Sequence, residues 1–325
     1  MIKEGGGGEQ AEIVVPLGEA AGTFDLERTV CSHGMFMMAP NHWDPFTRTF
    51  SRPLRLCPHS KSYEVSISQP SDTRHFLVAR VRGTCFLPDE QRVSLLRQIV
   101  RMLRLSEEDE KVAREFRKIA EAANGDSALW LGGFGGRVFR SPTLFEDMVK
   151  CILLCNCQWS RTLNMAKSLC DLQLELQSKT SPVESPLMKD DFAPKTPTKK
   201  RLKRKLDDDD NLMTEFCRDD LLGNFPIPEE LSNLDEKFLA KRCNVGYRAS
   251  RIINLAKEIL QGNIPLKELE EIENGSSIAN YENLVNKLQK IDGFGPFTCA
   301  NVLMCMGFYH VIPTDSETVR HLKQV

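Results

Sequence analysis

The sequence lacks a long hydrophobic run, a strong excess of either charge and any cysteine pair with CxxC spacing. No stretch of about 18 apolar residues occurs, which argues against a membrane-spanning helix. The formal net charge of −2 is too small for a protein that coats nucleic acid, so any contact with DNA must come from a local patch. The first twenty residues are glycine-rich and have no apolar centre, so we expect no signal peptide.

The cysteines predict reduced thiols and not a disulfide framework. There are 11 of them, an odd number, in a chain for which we expect no export. Cys151, Cys155 and Cys157 lie close together in the segment KCILLCNC, but only the first two share a helical face. We interpret these three as small apolar side chains of a core and predict no metal site.

Changes in composition divide the chain into segments. Hydrophobic residues make up 41% and charged residues 27% of the 325 residues, which suits a globular core. Alternation in Tyr63–Ser68 and His75–Arg82 predicts strands of a small antiparallel sheet. In order, we predict a disordered N-terminus (1–22), a sheet domain (23–87), a first helical part (88–174), a disordered linker (175–211) and a second helical part (212–325).

Helical periodicity and caps give the expected helices. Ser141 and Pro142 resemble an N-cap followed by a first-turn proline, and open a helix that should end near Asn156. The other predicted helices are Val93–Leu103, Glu107–Ala123, Ser232–Leu239 and Arg248–Leu260.

A dense basic run lies in the predicted linker. Six of seven residues are basic, and the acidic block Asp207–Asp210 follows; the basic residues are Lys199, Lys200, Arg201, Lys203, Arg204 and Lys205. One interpretation is a solvated loop whose opposite charges cancel. The interpretation we favour is a nuclear localisation signal, which predicts a nuclear location and an import receptor as a partner.

The segment Leu288–Asp315 predicts two helices joined by a tight turn and followed by a lone carboxylate. Gly293 and Gly295 tolerate positive φ in the turn, and Pro296 suits the start of the next helix. Backbone N–H groups at the start of that helix suit a phosphate. An ordinary helical hairpin with a glycine turn would show the same pattern.

The whole string LQKIDGFGPFTCANVLMCMGFYHVIPTD closely resembles the helix-hairpin-helix, Gly/Pro-rich loop and Asp signature of DNA glycosylases in the endonuclease III superfamily. The resemblance implies a mostly α fold with a small N-terminal antiparallel sheet, α+β overall. It implies a hairpin at 281–308 whose amides bind the DNA backbone, and a catalytic carboxylate at Asp315. Where the family commonly has Pro before the first hairpin glycine, this chain has Asp292. The residues implied in DNA binding by the hairpin are Gly293, Phe294, Gly295, Phe297 and Thr298.

Two further segments resemble the 8-oxoguanine glycosylase branch of that superfamily. Asn156 and Arg161 match residues that enter the vacated base stack and read the orphaned cytosine. Gly246-Tyr247-Arg248-Ala249 matches a turn whose Tyr wedges beside the orphaned base and whose Arg contacts it. These residue types suit stacking and base edges. The alternative is structural: Asn156 would cap a helix, and Tyr247 and Arg248 would follow a glycine cap.

The residues at the implied site favour hydrolysis. Base excision needs an extruded nucleotide and a carboxylate that stabilises positive charge on the sugar, and Asp315 could supply it while also capping a helix. The lysine that forms a Schiff base in lyases is replaced by Phe297, as in the bacterial 3-methyladenine glycosylase II branch. We therefore predict a monofunctional DNA N-glycosylase that removes damaged purines. The alternatives are a bifunctional 8-oxoguanine glycosylase with lyase activity and a catalytically silent DNA-binding module.

The resemblance also implies the partners and cofactors. We expect damaged double-stranded DNA as the partner, no membrane, a monomer and no required cofactor, with a monovalent cation allowed at the hairpin carbonyls. Some members hold an iron–sulfur cluster on cysteines beyond the catalytic Asp, but no cysteine follows Asp315 here, so we expect no cluster. The family pocket takes side chains from later helices, so we expect this chain to be C-terminally short, with an incomplete pocket.

Overall fold

The computed structural model describes residues 9–57, 60–70, 72, 74–122, 135–180, 223–272 and 278–323. Within these ranges the chain forms a helical part and one five-stranded antiparallel sheet, which confirms the predicted fold class. The basic run at 199–205 lies outside the described residues, so the localisation signal stays a prediction.

The sheet is formed by the N-terminal part of the chain. Its strands are β1 (Gln10–Pro16), β2 (His42–Asp44), β3 (Thr49–Arg55), β4 (Ser62–Ser68) and β5 (Phe76–Arg82), in the spatial order β1-β5-β4-β3-β2. The prediction of disorder for 1–22 is wrong for β1, which pairs with β5 along its whole length. The physical reason is period-two alternation, because Ala11, Ile13 and Val15 are buried on one face.

The helices follow the predicted order with shifted ends. They are α1 (Leu26–Val30), α2 (Asp89–Leu103), α3 (Glu107–Ala122), α4 (Leu144–Leu154), α5 (Trp159–Thr180), α6 (Pro228–Leu231), α7 (Glu236–Arg242), α8 (Arg248–Leu260), α9 (Leu266–Glu271), α10 (Ile278–Leu288), α11 (Pro296–Met306) and α12 (Ser316–Leu322). Short 3₁₀ helices span Gly18–Gly22 and Gly34–Met37.

Two predicted helix ends are corrected by the caps. Thr143, and not Ser141, caps α4, because its hydroxyl accepts a hydrogen bond from the N–H of Glu146. The predicted helix Ser232–Leu239 begins too early: Ser232 only caps the end of α6, and α7 starts at Glu236, because the Asp235 carboxylate accepts from the N–H of Phe238 and caps the helix there.

The hydrophobic core has two parts. One lies between the sheet and α2, whose Leu95, Ile99 and Met102 are buried against the strands. The other lies among α4, α5, α8 and α11. Cys151 is fully buried in the second cluster as predicted, whereas Cys155 and Cys157 are only half-buried.

A buried ion cluster joins the sheet to the helical part. Arg52 on β3 forms a bidentate pair with Glu146 on α4, at 3.1 and 2.9 Å, and the Lys150 amine lies 2.7 Å from the same carboxylate. Burial alone would raise the pKa of Glu146, but the two cations outweigh it and lower the pKa to about 2. The carboxylate is therefore ionised at neutral pH and its partners stay compensated.

Glu146→Gln should destabilise the protein by about 3–5 kcal/mol at neutral pH, because it leaves two buried cations without their counter-ion. Since the folded-state pKa lies below the ordinary value of 4.5, this stability is present above pH 4.5 and is lost as the pH falls through about 2. Urea unfolding across that pH range measures both effects.

The matched control for this prediction is Glu12→Gln, which breaks an exposed pair with Arg80. We expect it to change the free energy of unfolding by less than about 1 kcal/mol. Equal losses for Glu146→Gln and Glu12→Gln, or an unchanged acid dependence in Glu146→Gln, would contradict the assignment of Glu146 as the centre of the cluster.

Candidate active site and nucleic-acid interface

The predicted hairpin is present and its turn depends on glycine. Helices α10 and α11 are joined by a loop in which Gly293 has φ +83°, a left-handed conformation that disfavours other residues. The N–H of Phe294 donates to the carbonyl of Ile291 at 3.0 Å and closes the turn. Gly295 is the N-cap of α11, and Pro296 is its first residue, as the sequence predicts.

The hairpin presents backbone N–H groups to a possible ligand, whereas two of its predicted DNA-binding side chains are buried. Phe294 is buried in the helical core, and the Thr298 hydroxyl is buried 3.1 Å from the Sγ atom of Cys155. The N–H groups of Gly293, Gly295, Phe297 and Thr298 have no acceptor among the residues that the structure describes. Since they lie at the positive end of a helix, they suit an anion such as a phosphate.

Buried arginines hold the other end of α11. Arg104 donates to the carbonyls of Met304 and Cys305, at 3.1 and 2.5 Å, and Arg140 donates to Cys305 at 3.4 Å. Gly307 then ends the helix in a left-handed conformation, with φ +97°. The segment that leads to Asp315 therefore leaves a fixed helix end. The sequence analysis missed both arginines, since no local motif distinguishes them.

Asp315 caps the short helix α12 and is exposed to solvent. Its Oδ1 atom accepts from the N–H and the hydroxyl of Thr318, both at 2.8 Å, and these hydrogen bonds lower its pKa. The carboxylate is thus ionised at neutral pH. Both hydrogen bonds from Thr318 reach Oδ1, and the backbone of Glu317 also lowers the pKa of this carboxyl group. The predicted cap is present, and the catalytic role stays a prediction.

The structure brings three of the predicted duplex-reading residues together. Asn156 follows α4, is exposed and has φ +47°. Tyr247 is 49% exposed, and its hydroxyl lies 3.5 Å from the carbonyl of Cys155. Arg161 is also exposed and donates to the carbonyl of Asn244, at 3.4 Å, in the turn that precedes Tyr247. One surface therefore carries an aromatic ring, an amide and a guanidinium group.

The role predicted for Arg248 is wrong in this structure. Arg248 is 2% exposed, and its guanidinium group donates to the carbonyls of Cys155 and Asn156 and stacks 4.6 Å from the centre of the Tyr247 ring. A buried guanidinium group bound to two carbonyls is not available to a base. Arg248 instead fixes the Asn156 loop against the Tyr247 turn.

Phe297, which the sequence predicts to replace the reactive lysine of lyases, is half-buried in the first turn of α11. Its carbonyl accepts a hydrogen bond from the Asn301 amide at 2.9 Å. Helix α11 has the sequence PFTCANVLMCM and contains no lysine. No amine on this helix is therefore available for a Schiff base.

Among the described residues no group of three His, Cys, Asp or Glu side chains is arranged to hold a metal ion. None of the helices described there is long and apolar enough to cross a membrane. The monovalent cation at the hairpin carbonyls stays a prediction.

Arg248→Ala should lower the free energy of unfolding by about 1–3 kcal/mol, because buried carbonyls lose their donor. Tyr247→Ala should change it by less than about 0.5 kcal/mol, since the ring is half-exposed. Urea unfolding of both variants checks this difference. If Arg248→Ala is as stable as the parent and weakens DNA binding only with cytosine at the orphaned position, then Arg248 reads that base after all.

Comparison with known proteins gives a likeness in structure but none in sequence. No protein-family model matches the chain, and no curated protein matches it. Among solved structures, MBOgg1 in complex with a low-affinity DNA ligand is 18% identical with a TM-score of 0.56, and the match covers 100% of this chain and 86% of that one.

Two further solved structures match over most of their length. The 3-methyladenine DNA glycosylase of Archaeoglobus fulgidus is 15% identical, with a TM-score of 0.57 and coverage of 96% of this chain and 91% of that one. The 8-oxoguanine glycosylase/lyase of Clostridium acetobutylicum is 12% identical, with a TM-score of 0.58 and coverage of 97% and 85%. At these identities the likeness establishes the fold. The chain has the helix-hairpin-helix fold of DNA glycosylases, as its sequence predicts.

Proposed function

We propose that this chain is a DNA N-glycosylase of base excision repair that removes a damaged purine from duplex DNA by hydrolysis. The observation that carries the proposal is the shared exposed surface of Asn156, Arg161 and Tyr247. A wedge of this composition serves to occupy a gap in a base stack. The fold supports it, and related structures include MBOgg1 with a DNA ligand and the Clostridium enzyme with duplex DNA that has cytosine opposite 8-oxoguanine.

In the proposed interface, backbone N–H groups contact the DNA backbone and side chains contact the bases. The free N–H groups at the start of α11 bind a phosphate and fix the position of the duplex. Tyr247 and Asn156 fill the space of the extruded nucleotide, and Arg161 contacts the base that remains. Filling the gap offsets part of the free energy lost by unstacking.

The proposed chemistry uses a single carboxylate. The bond between the purine nitrogen and C1′ of the sugar breaks, the purine keeps the electron pair and takes a proton, and the oxygen of water bonds to C1′. Asp315 is ionised because Thr318 hydrogen-bonds to it, so its charge stabilises the positive sugar in the transition state. Phe297 supplies no amine, so water and not the protein is the nucleophile.

One observation favours a catalytically silent DNA-binding module as the second candidate. The residues on both sides of Asp315 are open to solvent, with Ile312 67% and Leu322 61% exposed. An open site leaves the carboxylate screened by water, which weakens its effect on the sugar. The two candidates make the same prediction for DNA binding and opposite predictions for base release.

Asp315→Asn should leave duplex binding unchanged and lower base release by about 10²–10³-fold, because the amide keeps the shape and removes the charge. Single-turnover release from duplexes that each carry one damaged purine measures this effect, and borohydride should trap no covalent adduct. Glu317→Gln is the control, since it removes an exposed carboxylate two residues away.

The outcomes of this experiment separate the candidates. Release by the parent that falls only in Asp315→Asn supports the glycosylase. Binding without release in the parent supports the silent module, and equal release by the parent and Asp315→Asn would reduce Asp315 to a helix cap.

A further inference from the structure

Arg251 contacts both the Tyr247 ring and the glycine turn of the hairpin, although it belongs to neither of the sequence motifs that predicted them. It lies one turn after Tyr247 on α8, and its guanidinium carbon is 4.9 Å from the centre of the Tyr247 ring. A Cβ atom added to Gly293 would lie 2.4 Å from Cδ of Arg251 and 2.7 Å from its Nε atom. The arginine side chain therefore runs directly over the glycine turn of the hairpin.

Arg251 forms no ion pair with any residue that the structure describes. It is half-buried and makes no hydrogen bond with any other residue in the described ranges. Its neighbour Arg248 differs, because that guanidinium group is buried and donates to backbone carbonyls. Arg251 thus keeps its donors for a ligand, while its stem is fixed by packing on Tyr247 and Gly293.

We propose that Arg251 binds a backbone phosphate of DNA together with the N–H groups of the hairpin turn. The inference deepens the proposed function and rests on it. A planar guanidinium group presents paired N–H donors that match two phosphate oxygens. The location favours a phosphate over a base edge, because the side chain lies on the hairpin turn, where the free amides of Gly293 and Gly295 also await an acceptor.

The charge of Arg251 also compensates for Asp292, which stands where the family commonly has Pro. Asp292 is exposed and places a negative charge next to Gly293, where it opposes a phosphate. A guanidinium group over the same turn offsets that charge at short range. The stacking contact has a second effect, since a bound phosphate that holds Arg251 also holds the Tyr247 ring in place. Backbone binding and gap filling are therefore coupled through one side chain.

The test is the salt dependence of binding to an undamaged duplex, measured by fluorescence anisotropy for the full chain. Each phosphate contact contributes about 0.9 to the slope of log K against log salt concentration. Arg251→Ala should lower the slope by about this amount and weaken binding at low salt. Arg251→Lys should keep most of the slope, because it keeps the charge.

Lys257→Ala provides the matched control. Lys257 lies on the same helix, is exposed and makes no ion pair among the described residues, so its removal takes the same charge from α8 without touching the hairpin. We expect its slope to stay within error of the parent. The melting temperatures of the variants should match that of the parent, which separates a lost contact from a lost fold.

The results distinguish the inference from the function on which it rests. If the parent binds the duplex and the slope of Arg251→Ala equals that of the parent, Arg251 contacts no phosphate and the inference is wrong. If Lys257→Ala lowers the slope as much as Arg251→Ala, the effect is one of general charge and the inference is also wrong. If the parent does not bind duplex DNA at all, both the proposed function and the inference are overturned.

Discussion

The carbonyl end of helix α11 is buried, and its need for hydrogen-bond donors constrains the rest of the molecule. Backbone carbonyls away from water require partners, and Arg104 and Arg140 supply them from a distant part of the chain. Arg104 stands at the end of α2, which packs on the sheet, and it is itself held by Asp109 at 3.5 Å. The direction of the hairpin helix therefore depends on the N-terminal sheet. Through that helix, the positions of the hairpin turn and of Asp315 depend on it as well.

A second set of arginine contacts organises the opposite end of the same helix. Thr298 packs on Cys155, so the start of α11 adjoins the Asn156 loop. Arg248 donates hydrogen bonds to carbonyls of that loop and stacks on Tyr247. Arg251 also stacks on Tyr247, and its side chain covers the hairpin turn. Three segments that are remote in sequence thus form one surface. The contacts of Arg248 hold these segments together without a ligand, so the proposed binding of DNA requires little reordering of them.

The sequence was informative where the chemistry is local. Gly293 and Pro296 predict the hairpin, because the turn requires a left-handed residue and the helix start accepts proline. The positive φ expected at Gly295 is wrong, since that residue is extended with φ −79°. The segment that starts at Asp315 predicts a cap, because an Asp side chain at a helix start accepts a hydrogen bond from the N–H three residues later, here that of Thr318. The surface shared by Asn156 and Tyr247 was found only through resemblance, because no local rule brings residues 91 positions apart together.

The failures of sequence reasoning share a physical cause. Arg104, Arg248 and Arg251 have roles set by tertiary packing, and arginine in isolation predicts an exposed side chain. Strand β1 was missed because glycines precede it and its pairing partner, β5, lies more than sixty residues later. Regular alternation in QAEIVVP was the available signal for that strand.

The central claim is that the Asn156 loop, the Tyr247 turn and the hairpin together hold a duplex with one nucleotide displaced. The most direct measurement compares affinities for two matched duplexes, one intact and one with a stable abasic analogue. Extruding a nucleotide costs a few kcal/mol, so the abasic duplex should bind about 10- to 100-fold more tightly. Tyr247→Ala should remove most of this preference. Equal affinity of the parent for both duplexes would contradict the account, because a surface built to fill a gap must favour DNA that already contains one.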